Sequence, residues 1–180
     1  MKKIIQSFTI LSLLLLVCNS CKKIDQFTQF SMDFNNEIVI PSSTGISLPI
    51  NLLTPELETN SESTFEVNDT RKDLIEEIRL TSLILTLNAP NNADFSFLES
   101  ISVYMNAQDL PEVEIAWEDD VPDNAGNQIS LNVSNEDFKE YIKKDEFSLR
   151  VNTITDEILT SDHQIDIASS FFIDAKILGL

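Results

Sequence analysis

The sequence predicts a mainly β protein, an antiparallel β-sandwich of about eight or nine strands, with one short helix at about residues 134–144 covering one end. Three observations predict this class. Short runs of alternating apolar and polar residues recur along the chain. Turn-forming clusters such as "PSSTG", "NAPNNAD" and "VPDNAGN" separate these runs. No long helical pattern lies between them, which disfavours a parallel α/β sheet.

The alternating runs predict strands with one buried face. In chain order they are "FTQFSMDFN", "ISLPINL", "STFEV", "IRLTSLILTLN", "ISVYM", "EVEIAW", "ISLNV", "FSLRVNTI", "HQIDI" and "FFIDAKIL". The fourth run has leucines on one face and Ile84 on the other, so we expect a central strand there. Pro49 in the second run removes a backbone donor, which predicts an edge strand or a bulge. The residues expected in the core include Phe34, Leu85, Val103, Trp117 and Leu149.

The helix is predicted from "SNEDFKEYIKK". Ser134 is placed to cap it, Asp137 follows three residues later, and apolar residues recur at helical spacing at Phe138, Tyr141 and Ile142. A shorter helical turn is expected in "TRKDLIEEI".

The N-terminus has the three parts of a secretory signal: two lysines, the apolar stretch 8–17, and the small polar residues Asn19 and Ser20 before Cys21. The apolar stretch is about half the roughly 20 residues that a membrane-spanning helix needs. A small residue directly before a cysteine resembles the lipobox of bacterial lipoproteins. The resemblance implies that Cys21 is lipidated, that residues 1–20 are a cleaved signal peptide, and that residues 21–27 form a tether to a single domain over 28–180.

Cys18 is the competing lipidation site, but it follows the bulky Val17 where a small residue is expected. We therefore expect Cys18 to leave with the signal peptide. With Cys21 carrying lipid, the mature chain has no disulfide and no thiolate metal ligand, because the sequence holds two cysteines in all. Its stability then depends on the hydrophobic core.

Charge and motifs exclude several function classes. The net charge of −18 argues against a nucleic-acid partner, which requires clustered Lys and Arg. His163 is the single histidine, so chemistry that needs two histidines is excluded. The three glycines are far apart, which excludes a phosphate-cradling loop or a dinucleotide fingerprint. No G-x-S-x-G motif accompanies His163, and we predict that the protein is not an enzyme.

The stretch "WEDDVPDNAGN" is the best carboxylate cluster. Asp119, Asp120 and Asp123 are weak candidates for a calcium site, because Ca²⁺ takes oxygen ligands. Its turn-forming residues favour a solvated hairpin tip instead. Trp117 could offer a stacking surface for a sugar, but its alternation with Val113 and Ile115 favours a core position.

Residues 79–105, "RLTSLILTLNAPNNADFSFLESISVYM", resemble part of the small uncharacterised lipoproteins of Bacteroidetes-type bacteria. The turn "LNAPNN" is similar, more distantly, to the Asn-Pro turn of late-embryogenesis-abundant type 2 domains, which are immunoglobulin-like sandwiches. Ala89 is an insertion relative to that pattern. Neither resemblance implies catalytic residues.

These observations predict a membrane-anchored, non-catalytic envelope lipoprotein that acts as an interaction or ligand-binding module. The alternative is a glycan-binding or weakly glycan-hydrolysing envelope protein, indicated by the many carboxylates and by Trp117. The expected partners are the membrane, through the acyl chains on Cys21, and another envelope protein, a lipid or a glycan. No cofactor is predicted beyond that covalent lipid and the calcium option. Because Lys22 and Lys23 follow Cys21 in place of an acidic run, the resemblance implies the outer membrane and its periplasmic side.

Overall fold

The computed structural model describes residues 28–42 and 46–176. Within them the chain forms ten strands and two α-helices. In order these are β1 (Gln29–Ile40), β2 (Ile50–Leu53), β3 (Leu57–Glu58), α1 (Ser61–Val67), β4 (Ile75–Ala89), β5 (Leu98–Ala107), β6 (Val113–Glu118), β7 (Gln128–Ser130), β8 (Asn132–Val133), α2 (Lys139–Ile142), β9 (Glu146–Thr155) and β10 (His163–Ala175). Short 3-10 turns at Lys72–Leu74 and Phe95–Phe97 precede β4 and β5.

The strands form two antiparallel sheets. The first sheet has the order β1-β10-β4-β7, and the second has the order β2-β9-β5-β6-β8, with β3 also pairing with β9. The long strands are divided between the two sheets as in a jelly roll. The division differs from that of an immunoglobulin domain, in which strands A, B, E and D form one sheet and strands C, F and G form the other. The predicted mainly β sandwich is confirmed. The strands number ten because β3 and β8 are separate pairings of two residues each.

The core lies between the two sheets, where the inward residues of the long strands meet. Leu85, Val103 and Leu149 are buried there as predicted, and so is Phe34. The ring of Phe34 on β1 lies edge-on to that of Phe147 on β9, with 5.0 Å between centroids, so this contact joins the two sheets. The sequence pattern therefore located the core correctly in four of the five predicted positions.

Trp117 is the exception, and a β-bulge in β6 is the reason. Val103 on β5 pairs with Ala116 and the next residue, Tyr104, pairs with Glu114, so Ile115 is an extra residue on β6. Ile115 and Ala116 are both fully buried. The alternation changes phase at the bulge, and Trp117 faces outward and is half-buried. The prediction of a core tryptophan was wrong.

The predicted helix at 134–144 is confirmed as α2, although it is only four residues long. It begins at Lys139 rather than near Ser134. One carboxylate oxygen of Asp137 accepts hydrogen bonds from the backbone N–H groups of Lys139 and of Ile78 on β4, each at 3.0 Å. Phe138 before the helix is fully buried, and α2 packs against strands of both sheets. It therefore covers one end of the sandwich, which we call the helical end.

The run "STFEV" was predicted as a strand and is instead α1, also at the helical end. Phe65 is fully buried, with its ring centroid 6.1 Å from that of Phe30, whereas Val67 is 79 % exposed. Residues two apart thus point in opposite directions, which a helix produces and a strand does not. A segment with one buried apolar residue has no hydrophobic periodicity, so its sequence does not distinguish a helix from a strand.

Three further predictions of connectivity are corrected. The runs "HQIDI" and "FFIDAKIL" belong to one strand, β10. The run "ISLNV" is divided, with β7 in the first sheet and β8 in the second. The acidic segment 119–127 joins strands of different sheets, so it is a crossover and not a hairpin tip. Pro49 directly precedes β2, which is an edge strand as predicted.

Candidate functional site

The predicted site residues are not brought together. Cys21 and Cys18 lie outside the described residues. Asp119, Asp120 and Asp123 are all exposed, and no group of three metal-ligating side chains is present in residues 28–42 and 46–176. In the same residues, no helix has the length and apolar character needed to cross a membrane.

His163 is buried at one end of the sandwich. It begins β10 with 7 % of its surface exposed, and its ring centroid is 4.4 Å from that of Phe97. Its Nδ1 lies 2.9 Å from the backbone oxygen of Ser161, so Nδ1 carries the hydrogen in the neutral ring. Its ring therefore packs against the core through Phe97.

The outer face of the second sheet carries a straight row of uncharged side chains that crosses five strands. Asn51 on β2 pairs with Asn152 on β9, Asn152 pairs with Ser102 on β5, Ser102 pairs with Trp117 on β6, and Trp117 pairs with Asn132 on β8. Paired residues of neighbouring strands point to the same side of a sheet. We call these five residues the cross-strand row.

The cross-strand row presents unpaired hydrogen-bonding groups. In the part of the chain that the structure describes, the indole N–H of Trp117 and the hydroxyl of Ser102 have no protein partner. Asn132 Nδ2 donates to Glu118 Oε2 at 3.1 Å, which leaves Asn132 Oδ1 facing solvent. Both bonds of Asn51 are accepted by its Oδ1, which leaves its Nδ2 free. The row therefore offers both free donors and free acceptors.

Arg150 on β9 fixes one end of this row. Its Nη1 donates to Asn51 Oδ1 at 2.7 Å, and Asn152 Nδ2 donates to the same oxygen at 3.1 Å. Because both partners are donors, the amide of Asn51 has a single acceptable orientation. Arg150 also makes a two-pronged contact with Glu112, at 2.6 Å through Nη2 and 2.9 Å through Nε.

The ring of Tyr104 stacks against the guanidinium group of Arg150. Its centroid lies 4.0 Å from Cζ of Arg150, a cation–π contact. The hydrogen bonds from Arg150 hold the pKa of the Glu112 carboxyl below its ordinary range against the effect of burial, with a further contribution from Asn106. The hydrogen bond to Glu112 in turn raises the pKa of Arg150. The pair stays ionised at neutral pH.

A concavity of about 400 Å³ lies elsewhere, at the helical end. Its lining is acidic and polar, including Glu58, Glu62 and Asp145, and Lys72 Nζ bridges the last two at 3.4 and 3.3 Å. It has no aromatic or apolar wall, which ligand pockets usually have. The cross-strand row is therefore the better candidate.

Sequence reasoning missed four of the five row residues. A signal for them existed: outward positions of the runs "ISLPINL", "ISVYM", "ISLNV" and "FSLRVNTI" hold Asn or Ser. The pattern of each run shows that a residue points outward. It does not show which outward residues of distant runs become neighbours.

No protein-family model matches the chain, and no curated protein matches it either. Among solved structures, a chain of turnip yellow mosaic virus is 12 % identical, with 84 % of this chain and 96 % of that chain covered and a TM-score of 0.31. A chain of the empty head of the same virus is 12 % identical, with 83 % and 82 % covered and a TM-score of 0.26. A chain of desmodium yellow mottle tymovirus is 11 % identical, with 84 % and 85 % covered and a TM-score of 0.23. At these scores the likeness bears on neither fold nor function.

Proposed function

We propose that this protein is a membrane-anchored, non-catalytic binding module of the bacterial cell envelope, which holds its ligand on the outer face of the second sheet. The observation that carries the proposal is the cross-strand row, an uncharged surface with unpaired hydrogen-bonding groups on a chain of net charge −18. Aromatic and amide side chains held in fixed positions are typical of recognition surfaces. The anchor is the lipid on Cys21.

The binding role is supported by the rigidity of the surface. Arg150, Asn51, Asn152 and Glu112 hold one another by hydrogen bonds, so little side-chain entropy is lost when a ligand arrives. Among the described outward residues of the second sheet there is no histidine, the side chain used most often for general acid–base catalysis. We therefore propose binding without chemistry.

The anchor is tested by two cysteine variants. Cys21→Ala should release the protein into the soluble envelope fraction, because acyl chains supply the membrane affinity at about 0.8 kcal/mol per buried methylene. Cys18→Ala is the matched control and should remain membrane-bound. Membrane fractionation distinguishes the two, and the anchor is disproved if both variants fractionate like the unmodified chain.

We further propose that the protein sits in the outer membrane and faces the periplasm, since Lys22 and Lys23 follow Cys21 where surface-exported lipoproteins of the resembled type carry an acidic run. Intact cells treated with protease should therefore retain the protein. Ready digestion of intact cells would contradict this location, whereas permeabilised cells should lose the protein.

A further inference from the structure

We infer that the ligand of the cross-strand row is an uncharged oligosaccharide, with one sugar ring stacked on Trp117 and its hydroxyls hydrogen-bonded to the neighbouring amides. This inference rests on the proposed function and names the ligand class of the same surface. Three properties of the row lead to it: the chemistry of its groups, its lack of charge, and its length.

The chemistry of the row suits a polyhydroxylated ring. Trp117 is half-buried on the outer face, offering an apolar surface and an unpaired indole N–H at once. Ser102 lies beside it on β5 and Asn132 on β8. A sugar has an apolar C–H face flanked by hydroxyls that both donate and accept. The ring of Trp117 can contact the C–H face of the sugar, while the amide of Asn132 and the hydroxyl of Ser102 on either side can hydrogen-bond to its hydroxyls.

The charges around the row disfavour anionic ligands. Arg150 is the one cation among the described outward residues of the second sheet, and its guanidinium is already engaged by Glu112. Glu118 holds Asn132 at the opposite end, and the chain as a whole is strongly acidic. A ligand with phosphate or carboxylate groups would meet repulsion without a free cation to offset it. A neutral glycan meets no such penalty.

The length of the row favours a chain of sugars over a single one. The row crosses five strands, and four intervals of about 4.8 Å give a span of roughly 19 Å. Free polar groups occur at both ends, at Asn51 and at Asn132. A monosaccharide on Trp117 would leave the Asn51 end unused, whereas an oligosaccharide lying across the strands engages the whole row.

The test uses the full-length lipoprotein in a detergent without a sugar headgroup. Binding is measured on an array of neutral oligosaccharides of the cello, xylo, manno and malto series, beside anionic oligogalacturonate and alginate fragments. Trp117 is the single tryptophan, so quenching of its fluorescence reports on this surface alone. We expect saturable quenching by at least one neutral series and stronger binding as the oligosaccharide lengthens.

The variants are chosen in matched pairs on the two outer faces. Trp117→Ala should weaken glycan binding about tenfold or more, as is usual for a central aromatic anchor, and Asn132→Ala should weaken it less. Phe172→Ala and Asn35→Ala alter a half-buried aromatic and an exposed amide on the outer face of the first sheet. These two controls should bind within about twofold of the unmodified protein.

The inference is overturned if no neutral series binds, if anionic fragments bind better, or if Phe172→Ala weakens binding as much as Trp117→Ala. Trp117-dependent capture of a protein or a phospholipid from envelope extract, without glycan binding, would overturn the ligand class and leave the binding surface standing. Capture that Trp117→Ala and Arg150→Met both leave unchanged would overturn the proposed surface itself. Thermal unfolding of each variant checks that the fold is retained.

Discussion

The two outer faces of the sandwich hold their polar side chains in different ways. On the first sheet Ser170 links its neighbours through neutral groups: its Oγ donates to Asp33 at 2.6 Å, and its backbone oxygen accepts from Thr81 Oγ1 at 2.9 Å. On the second sheet one residue, Arg150, joins its own strand to Asn51 on β2, to Tyr104 on β5 and to Glu112 beside β6. The second face is therefore held by a charged side chain, and the first by a hydroxyl and a backbone carbonyl.

The faces differ in charge as well. On the first sheet Glu37 and Asp166 stand directly opposite each other in the register and both point outward. Like charges in that arrangement are destabilising. On the second sheet the cross-strand row is uncharged, and its neighbouring carboxylate Glu112 is paired. The first surface therefore carries an opposed pair of carboxylates, whereas the carboxylate beside the row on the second surface is paired with a cation.

Removing the centre of the network should have the largest effect. Arg150→Met keeps the length of the side chain and removes its hydrogen bonds to Glu112 and Asn51, so the free energy of unfolding should fall by about 1.5 to 3 kcal/mol. The matched change on the first sheet is Arg79→Met, which loses an exposed ion pair with Glu77 worth about 0 to 1 kcal/mol.

Urea denaturation of both variants measures the difference between the faces. A double variant with Glu112→Gln should recover part of the loss, because the carboxylate is then no longer unpaired. If Arg150→Met and Arg79→Met lose equal amounts of unfolding free energy, the network around Arg150 stabilises the fold no more than an exposed ion pair does.

Acidification should weaken the second face by breaking the ion pair of Glu112. The pKa of Glu112 is lowered in the folded state, so the stability it contributes is complete above the ordinary glutamate pKa of about 4.3. That stability is lost as the pH falls through the lowered value. The gap in unfolding free energy between the unmodified chain and Glu112→Gln should therefore be widest near neutral pH and narrow in acid.

Stability curves for the two proteins, measured by urea denaturation from pH 7 downward, give this gap directly. Glu37→Gln provides the comparison, since Glu37 makes no hydrogen bond or ion pair within the described residues that its loss would break. A gap for Glu112→Gln that stays constant with pH would show that its carboxylate contributes no ionic stabilisation.

Neutralising one carboxylate of the opposed pair should have the smallest effect, and a favourable one. Glu37→Gln should raise the free energy of unfolding by about 0.2 to 1 kcal/mol. The gain should shrink in about 1 M sodium chloride, where charges are screened over about 3 Å. Thermal midpoints at low and high salt measure it, with Ser31→Ala on the same strand as the uncharged control. A gain that is independent of salt would point to something other than repulsion.

The sequence predicted most of the core but little of the site, for a physical reason. Alternation within a run shows which residues face inward, and Phe34, Leu85, Val103 and Leu149 followed from it. It fails where a bulge changes the phase, as at Ile115, and where one apolar residue anchors a segment, as at Phe65 in α1. Contacts with distant parts of the chain decide both outcomes.

The cross-strand row could not be predicted because it depends on register. Asn51, Ser102, Asn132 and Asn152 come from separate strands, and only the pairing of β2, β9, β5, β6 and β8 aligns them. A shift of one residue in any of these pairings would turn the row inward on that strand. The turn chemistry and side-chain packing that set register are spread over the whole chain.

The length of β1 bears on how the protein behaves in concentrated solution. Its twelve residues form an edge of the first sheet, while the other edge strands, β2, β7 and β8, have four, three and two residues. A long unpaired edge is a template on which a second molecule can add a strand. Asp33 and Glu37 along this edge repel an identical chain, and the inward Asn36, whose Nδ2 has no partner among the described residues, weakens the apolar face that a fibril would bury. Close to the isoelectric point of about 4.1 the net charge that keeps molecules apart is smallest, and β1 is then the place where we expect self-association to begin.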